Sequence, residues 1–487
     1  FSDVQVEEIG IALNRDYSIE KINMFAKPEL SEDLIHEIKD GFEEGFSAEQ
    51  VSMYAKPEFN SFQKEEIKNG LKNGLSIEQV SVYAKPEFDS HQMSVIKNGF
   101  KNGLSMEQVS VYAKPEFNGN QMWQIKNGLD EYKLSIEQAN VYAKPEFGIS
   151  QMHEIRKGYE NHLSAEQINM YAKPEFDQNQ MREIRDGFKK GLAVEQVSMY
   201  ARPEFSSEQM QKIRHGFING LSMEQVSVYA KPEFDENQMS IIEIGLGRGF
   251  SMKQVGMYAK PEFDSNQMME ISMGFDINEI SMEQVSVYAR PEFSSEQMRE
   301  IRYGFINGLS LEQVNVCAKP EFHAAQMCAV RIGFENGLSM KQVGVYAKPE
   351  FNDIQMREIA CGFINGLSEE QVSMYAKPEL DSYQIHEIRD GLEEGFSMEQ
   401  VRMYAKPEFN EEQKEKIKDG FNAGLSVEQV SVYAKPELSA KRMDIIRRCL
   451  ESGYSVEQAK VLANPKFAGW KIDEILDGFN AGLSVEQ

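Results

Sequence analysis

The residues of this chain that could do chemistry are seven histidines, four cysteines and long series of tyrosines and carboxylates. What they can do depends on whether they converge. His36, His91, His153, His162, His215, His323 and His386 lie mostly at unlike positions of the pattern described below. His36, His153 and His386 share a register with Ser94, but in distant stretches, so they cannot meet around one metal ion or one proton-transfer step. They read as surface residues. Cys317, Cys328, Cys361 and Cys449 have no recurring spacing. A disulfide framework or zinc site needs patterned ligands, so these read as incidental substitutions. They suit a reducing, cytoplasmic setting or a cysteine-poor surface protein. Walker A, G-x-S-x-G, H-E-x-x-H and EF-hand sequences are all absent. The glycine-rich "GLGRGF" (Gly245–Phe250) follows a helix pattern, so it reads as a turn between helices. A non-enzyme is expected, with no cofactor, metal or small-molecule site.

The tyrosines form a single register: Tyr54, Tyr83, Tyr112, Tyr142, Tyr171, Tyr200, Tyr229, Tyr258, Tyr288, Tyr346, Tyr375, Tyr404 and Tyr433. Phe25, Cys317 and Leu462 take the same place in the remaining units. Apolar replacements predict a buried ring with its hydroxyl at the edge. A stacking ladder for a polymeric ligand is the alternative.

A register implies a repeat. The chain has 16 prolines, and successive ones lie 29 residues apart, as Pro86 and Pro115 do, except for two steps of 30. No proline falls outside the series, so residues 1–487 read as one continuous array that starts and stops mid-repeat.

The unit from Pro86 to Lys114 reads "PEFDSHQMSVIKNGFKNGLSMEQVSVYAK". Asp89 and Gln92 form a capping box for a first helix, and Phe88 and Met93 its hydrophobic staple. Ser105, Gln108, Leu104 and Val109 repeat that grammar for a second helix. Gly103 is placed to close the first helix, and Pro115 to end the second. The spacing predicts helices over Ser90–Asn102 and Met106–Lys114. Met93, Ile96 and Phe100 form one apolar stripe, and Val109, Tyr112 and Ala113 the other. Two short stripes cannot bury each other in a lone hairpin, but stacked neighbours can cover both. The fold expected is therefore an all-α solenoid, a superhelical array of about sixteen helical hairpins of 29–30 residues.

Gly99 sits inside the first helix, where it costs about 1 kcal/mol relative to Ala. Its equivalents recur from Gly41 to Gly478, broken from Pro28 onward only by Cys449. That cost predicts close backbone approach at a helix crossing. The two 30-residue units, with "GLDEYKLSIEQ" (Gly128–Gln138) and "GFDINEISMEQ" (Gly274–Gln284), carry the extra residue between their helices.

The phrase "GLSMEQVSVYAKPEF" (Gly103–Phe117) resembles a family of uncharacterised bacterial proteins with near-identical 29-residue repeats, a likeness that covers the chain and implies no established activity. More loosely, "LSMEQVSVYA" (Leu104–Ala113) is similar to the repeats of the transcription-activator-like effectors. That likeness implies a helix-pair superhelix around DNA, read by a variable dipeptide. The corresponding positions here, Pro115 and Glu116, hardly vary.

Lys+Arg total 52 against 78 Asp+Glu, a formal charge of -26, which repels phosphate backbones and anionic membrane surfaces. No run of about 20 apolar residues is present to span a membrane. Asp89 and Glu107 sit where helix dipoles prefer negative charge, and Lys114 where they prefer positive. Lys85 and Glu87 flank Pro86, as Lys114 and Glu116 flank Pro115, so stacking repeats a Lys/Glu stripe along one edge. Variation concentrates at the positions of Ser90, His91, Ser94, Asn98, Lys101 and Met106. The candidate partner-binding residues are therefore Lys85, Glu87, Ser90, His91, Ser94, Asn98, Lys114 and Glu116. A protein-binding scaffold is the leading expectation. A spacer or head-to-tail filament comes next, then nucleic-acid binding or DNA mimicry.

Overall fold

The computed structural model describes residues 1–276, 280–467 and 469–486. It is all-helical, with thirty-three helices and no strand among the described residues. Helices of 12 residues alternate with helices of 5 or 7, as in Ser61–Lys72, Ile77–Tyr83, Ser90–Lys101 and Met106–Ser110. The chain divides into two compact units, Phe1–Met252 and Lys253–Gln487, and each is a helical-repeat solenoid.

Within the first unit, consecutive first helices pack side by side from Ser61–Lys72 to Glu236–Gly247. The second helix of a repeat bridges its own first helix and the next one, as Ile77–Tyr83 does between Ser61–Lys72 and Ser90–Lys101. The second unit repeats this layering, for example from Ser265–Asp276 to Ser382–Glu393. The core is the seam between the layers. Phe88, Met93, Ile96, Phe100, Leu104, Val109 and Tyr112 are all buried, so both apolar stripes lie where their periods place them.

Each first helix begins and ends as its residues dictate. Asp89 Oδ1 accepts from the Gln92 N–H at 2.8 Å, and Gln92 Oε1 accepts from the Asp89 N–H at 2.7 Å. At the other end Gly103 has φ +90°, and the N–H groups of Gly103 and Leu104 donate to Phe100 and Gly99 carbonyls at 2.9 and 3.0 Å. This paired closure satisfies two orphan carbonyls of the last turn. Ser105 and Gln108 complete the second box, at 2.9 and 3.2 Å.

The second helix is shorter than its sequence suggests. It stops at Ser110 in one repeat and at Tyr83 in another, not at the lysine before proline. A residue before proline is excluded from helical geometry, and the chain leaves the helix one residue earlier still. Ala84, at φ -72° and ψ +63°, centres an inverse γ-turn closed by Lys85 N–H to Tyr83 O at 2.7 Å. Lys85–Phe88 then forms a β-turn, Phe88 N–H to Lys85 O at 3.2 Å, with Pro86 at the position its fixed φ suits. Of the two inserted connections, Glu131–Lys133 bulges outward, with Lys133 at φ +55° and Leu134 N–H reaching back to Gly128 O at 2.9 Å. The other falls largely on residues 277–279, outside the described residues.

Candidate functional site

The repeated residues divide into those that hold neighbours together and those left facing outward. Tyr112 belongs to the first group. It is 0 % exposed, so the register cannot stack against an external polymer. Nor does its hydroxyl sit at an edge. A Cβ built on Gly99 would overlap the Tyr112 hydroxyl oxygen and lie 3.3 Å from Cζ. The glycine therefore makes room for a side-chain hydroxyl rather than for another backbone. The same fit recurs at Gly41 with Tyr54, Gly70 with Tyr83, Gly187 with Tyr200 and Gly333 with Tyr346. Burial drives the phenol of Tyr112 far above its ordinary pKa, with Asp130 adding to the shift. Tyr433 Oη donates to Lys416 O at 3.3 Å, while the hydroxyls of Tyr54, Tyr83 and Tyr112 have no hydrogen-bond partner.

The sequence held a sign of this lock beyond the periodic glycine. Where the tyrosine becomes Phe25, the residue in the glycine register is Ala12, and where it becomes Leu462, that residue is Cys449. In these two repeats loss of the hydroxyl goes with gain of a Cβ, whereas the third replacement, Cys317, keeps its glycine, Gly304. Burial pushes the Cys317 thiol, in the tyrosine register, up to about 12, so that cysteine is an inert core residue.

Gln92 does more than cap. Its Nε2 donates to Phe117 O, in the next repeat's turn, at 2.6 Å. Gln63, Gln180, Gln209 and Gln297 make the same bond to Phe88, Phe205, Phe234 and Phe322, each at 2.6 Å. A Glu would close the capping box equally well but lacks the donor; no repeat has Glu there, although Leu34 takes the place in one. Arg442 replaces Gln in one repeat and keeps the donation, reaching Phe467 O at 2.9 Å.

A third seam is ionic. Carboxylates on one first helix pair with cations on the next. Glu66 holds Lys97 at 2.6 Å, Glu183 holds Arg214 at 2.8 Å, Glu300 holds Arg331 at 3.0 Å and Glu154 holds Arg185. At one step the charges swap, with Lys212 acting on Glu243, and at another both become small and apolar, Ala329 and Ala360.

The outward residues are of two kinds. Lys85, Pro86, Glu87, Lys114 and Glu116 are exposed on the turns, as expected. The Lys114 ammonium lies 5.9 Å from the centroid of the buried Phe117 ring. His91 and Asn98 are exposed, and Ser90 and Ser94 half-buried. His91 packs on Gly119 of the next repeat, where a Cβ would meet its imidazole. These first-helix positions line an open groove in the first unit at Trp123, Ile149, His153 and Arg182. The second-helix starts expose Glu78, Glu107, Glu137, Glu166, Glu195 and Glu224, one per repeat. Beside them, Met106 and Met223 are 39 % and 44 % exposed. Ser81 returns its hydroxyl to Glu78 O at 2.7 Å.

Among the described residues no three His, Cys, Asp or Glu side chains could hold a metal ion, and no helix is long and apolar enough to cross a membrane. No known family model matches the chain, and no curated protein matches it either.

Proposed function

We propose that this protein is a non-enzymatic repeat scaffold that binds a basic protein surface along the acidic row of its second-helix starts. The observation that carries the reading is the recurrence of one exposed carboxylate beside one half-exposed apolar side chain, as in Met106–Glu107 and Met223–Glu224. Neighbouring rows lie within side-chain reach. Lys341, which takes the acidic place in its repeat, pairs with Glu369 of the following repeat at 2.6 Å. One extended partner segment could therefore touch consecutive repeats, and contacts worth little singly would sum by effective concentration. A helix of five to seven residues offers too little surface to bind alone, so the array itself would be the binding unit. The charge of -26 argues against a nucleic-acid partner, and so does the constancy of Pro115 and Glu116 where a base-reading repeat needs variation.

The test is a titration of the full chain with cationic peptides of regularly spaced Lys and Leu. Peptides of increasing length should bind with rising affinity, and one of equal composition but scrambled spacing should bind at least tenfold more weakly. Reversal of Glu78, Glu107, Glu137 and Glu166 to Lys should abolish binding with helicity unchanged. Equal affinity for ordered and scrambled peptides would refute the scaffold reading, since charge alone would then account for it.

A further inference from the structure

The ionic seam loses its carboxylate twice in succession, at Val95 and Gln124. The cations that would have met those carboxylates turn to acids on their own helices, Lys126 to Asp130 at 3.0 Å and Arg156 to Glu160 at 2.5 Å. Beside this gap a groove of about 510 Å³ opens on the outer face of three successive first helices. Its apolar part is Trp123, 48 % exposed, with Ile149 at 38 %. Its polar part includes His153, Lys157 and Arg182. The one carboxylate in the lining, Glu154, is 2 % exposed and already held by Arg185 and by Arg182, the latter at 3.5 Å.

The donors outnumber the acceptors. Arg156 Nη2 sits 2.8 Å from His153 Nδ1, and an arginine can only donate, so that nitrogen accepts and the imidazole is neutral with its proton on Nε2. Burial, then Lys157 and Arg156, hold the His153 pKa below its ordinary value, which agrees with that tautomer. The Trp123 indole is likewise a donor only. The groove therefore combines cations and N–H donors with an apolar platform, inside a chain whose formal charge is -26. The volume suits a short peptide stretch or drug-sized group, and the charge selects an anionic one.

We propose that this groove binds an acidic peptide segment, with carboxylates on Lys157 and Arg182 and an aromatic or branched side chain against Trp123. The occupant is a protein segment because Trp123 and Ile149 together form an apolar platform that a side chain can cover. The inference rests on the reading of the chain as a protein-binding scaffold, but on another face and with the opposite charge.

The experiment uses the full chain with Trp470→Phe, which leaves Trp123 as the only indole. Its emission is followed while a short peptide of alternating Glu and Phe is added, then its Gln/Phe counterpart, then a single-stranded oligonucleotide. The expected result is a saturable change with the acidic peptide, weakened by salt. The Gln/Phe peptide should bind at least tenfold more weakly. So should the acidic peptide to Lys157→Glu/Arg182→Glu, exposed or half-exposed sites whose exchange circular dichroism should show to leave helicity intact. No saturable change, equal affinity for the neutral peptide, or indifference to charge reversal would overturn the proposal. Tighter binding of the oligonucleotide would overturn it in favour of nucleic acid. Protein that binds the cationic peptides of the previous section but not the acidic one overturns this groove alone, and the converse overturns the acidic-row reading alone.

Discussion

Alanine at Gly99 and phenylalanine at Tyr112 should each act differently alone than together, and the difference can be worked from the contact. Gly99→Ala gains about 1 kcal/mol of helix propensity. Against that, the new Cβ overlaps the Tyr112 hydroxyl in a site already filled by Leu104 Cδ1 at 3.5 Å. Overpacking of this kind costs about 1–3 kcal/mol, so the single change should destabilise by up to about 2 kcal/mol. Tyr112→Phe removes a buried hydroxyl with no hydrogen-bond partner, whose desolvation costs about 1–3 kcal/mol. It also leaves an oxygen-sized void, so the single change should be near neutral or gain up to about 1 kcal/mol. In the double variant the Cβ occupies that void. Propensity and desolvation are then both relieved, and the protein should exceed wild type by about 1–2 kcal/mol, a coupling of about 2–3 kcal/mol. The chain already contains this solution, at Ala12 with Phe25. Urea unfolding of the four proteins closes the cycle, and amide exchange at Met93–Lys101 localises the effect, because a repeat array opens in parts. Additivity within about 0.5 kcal/mol, or a double variant weaker than Gly99→Ala, would refute the steric account.

Gln92→Glu keeps its capping box but loses the Nε2 donation to Phe117 O, and should destabilise by about 2–3 kcal/mol in urea unfolding. Gln108→Glu, at a box with no bond to the next repeat, should change stability by under about 0.5 kcal/mol. His162 stands at φ +58° where other repeats place glycine, so His162→Gly should raise stability by about 1 kcal/mol, read from the unfolding midpoint. The buried phenols predict sharp alkaline unfolding. Their folded pKa values are raised, so their stabilisation is complete below about pH 10, the unfolded value, and is lost as pH rises above it. Each phenol contributes about 1.4 kcal/mol per pH unit. Phenolate absorbance should rise in step with loss of helical signal, and gradual ionisation without unfolding would contradict the burial.

Much of the fold was legible because its signals are local. Asp89, Gln92, Ser105, Gly103 and Pro115 act on backbone groups within a few residues of themselves, and the helices begin where these residues place them. What the spacing concealed was contact between helices. The Gln92 amide, the Glu66–Lys97 pair and the Tyr112 hydroxyl all act across helices, so a periodicity within one helix does not reveal them. Each nevertheless left a trace when equivalent positions are compared down the chain. Glu never replaces the capping Gln, a Cβ appears in two of the three repeats that lose the hydroxyl, and Lys212 and Glu243 exchange signs. The groove at Trp123 left the weakest trace, since its residues come from three repeats and resemble ordinary variation.

These contacts also explain why the units are so alike. A substitution at Gln92 or Phe117 must suit the neighbouring repeat as well as its own, and one at Gly99 or Tyr112 must suit the other helix of its repeat, so the seam resists single changes whatever the protein binds. Near-identity at those positions is thus no argument for a repeated ligand. The argument has to come from positions that the seam does not constrain. Two sets qualify. Glu107 and Glu116 face outward and recur in nearly every repeat, a pattern suited to many equal contacts with one extended partner. Trp123, His153 and Arg182 share one outward register and differ over three successive repeats, a pattern suited to a single local contact. If the seam alone governed the sequence, both sets would drift alike. The constancy of the first against the diversity of the second is what the two proposals predict, a row binding by repetition and a groove binding by its own chemistry.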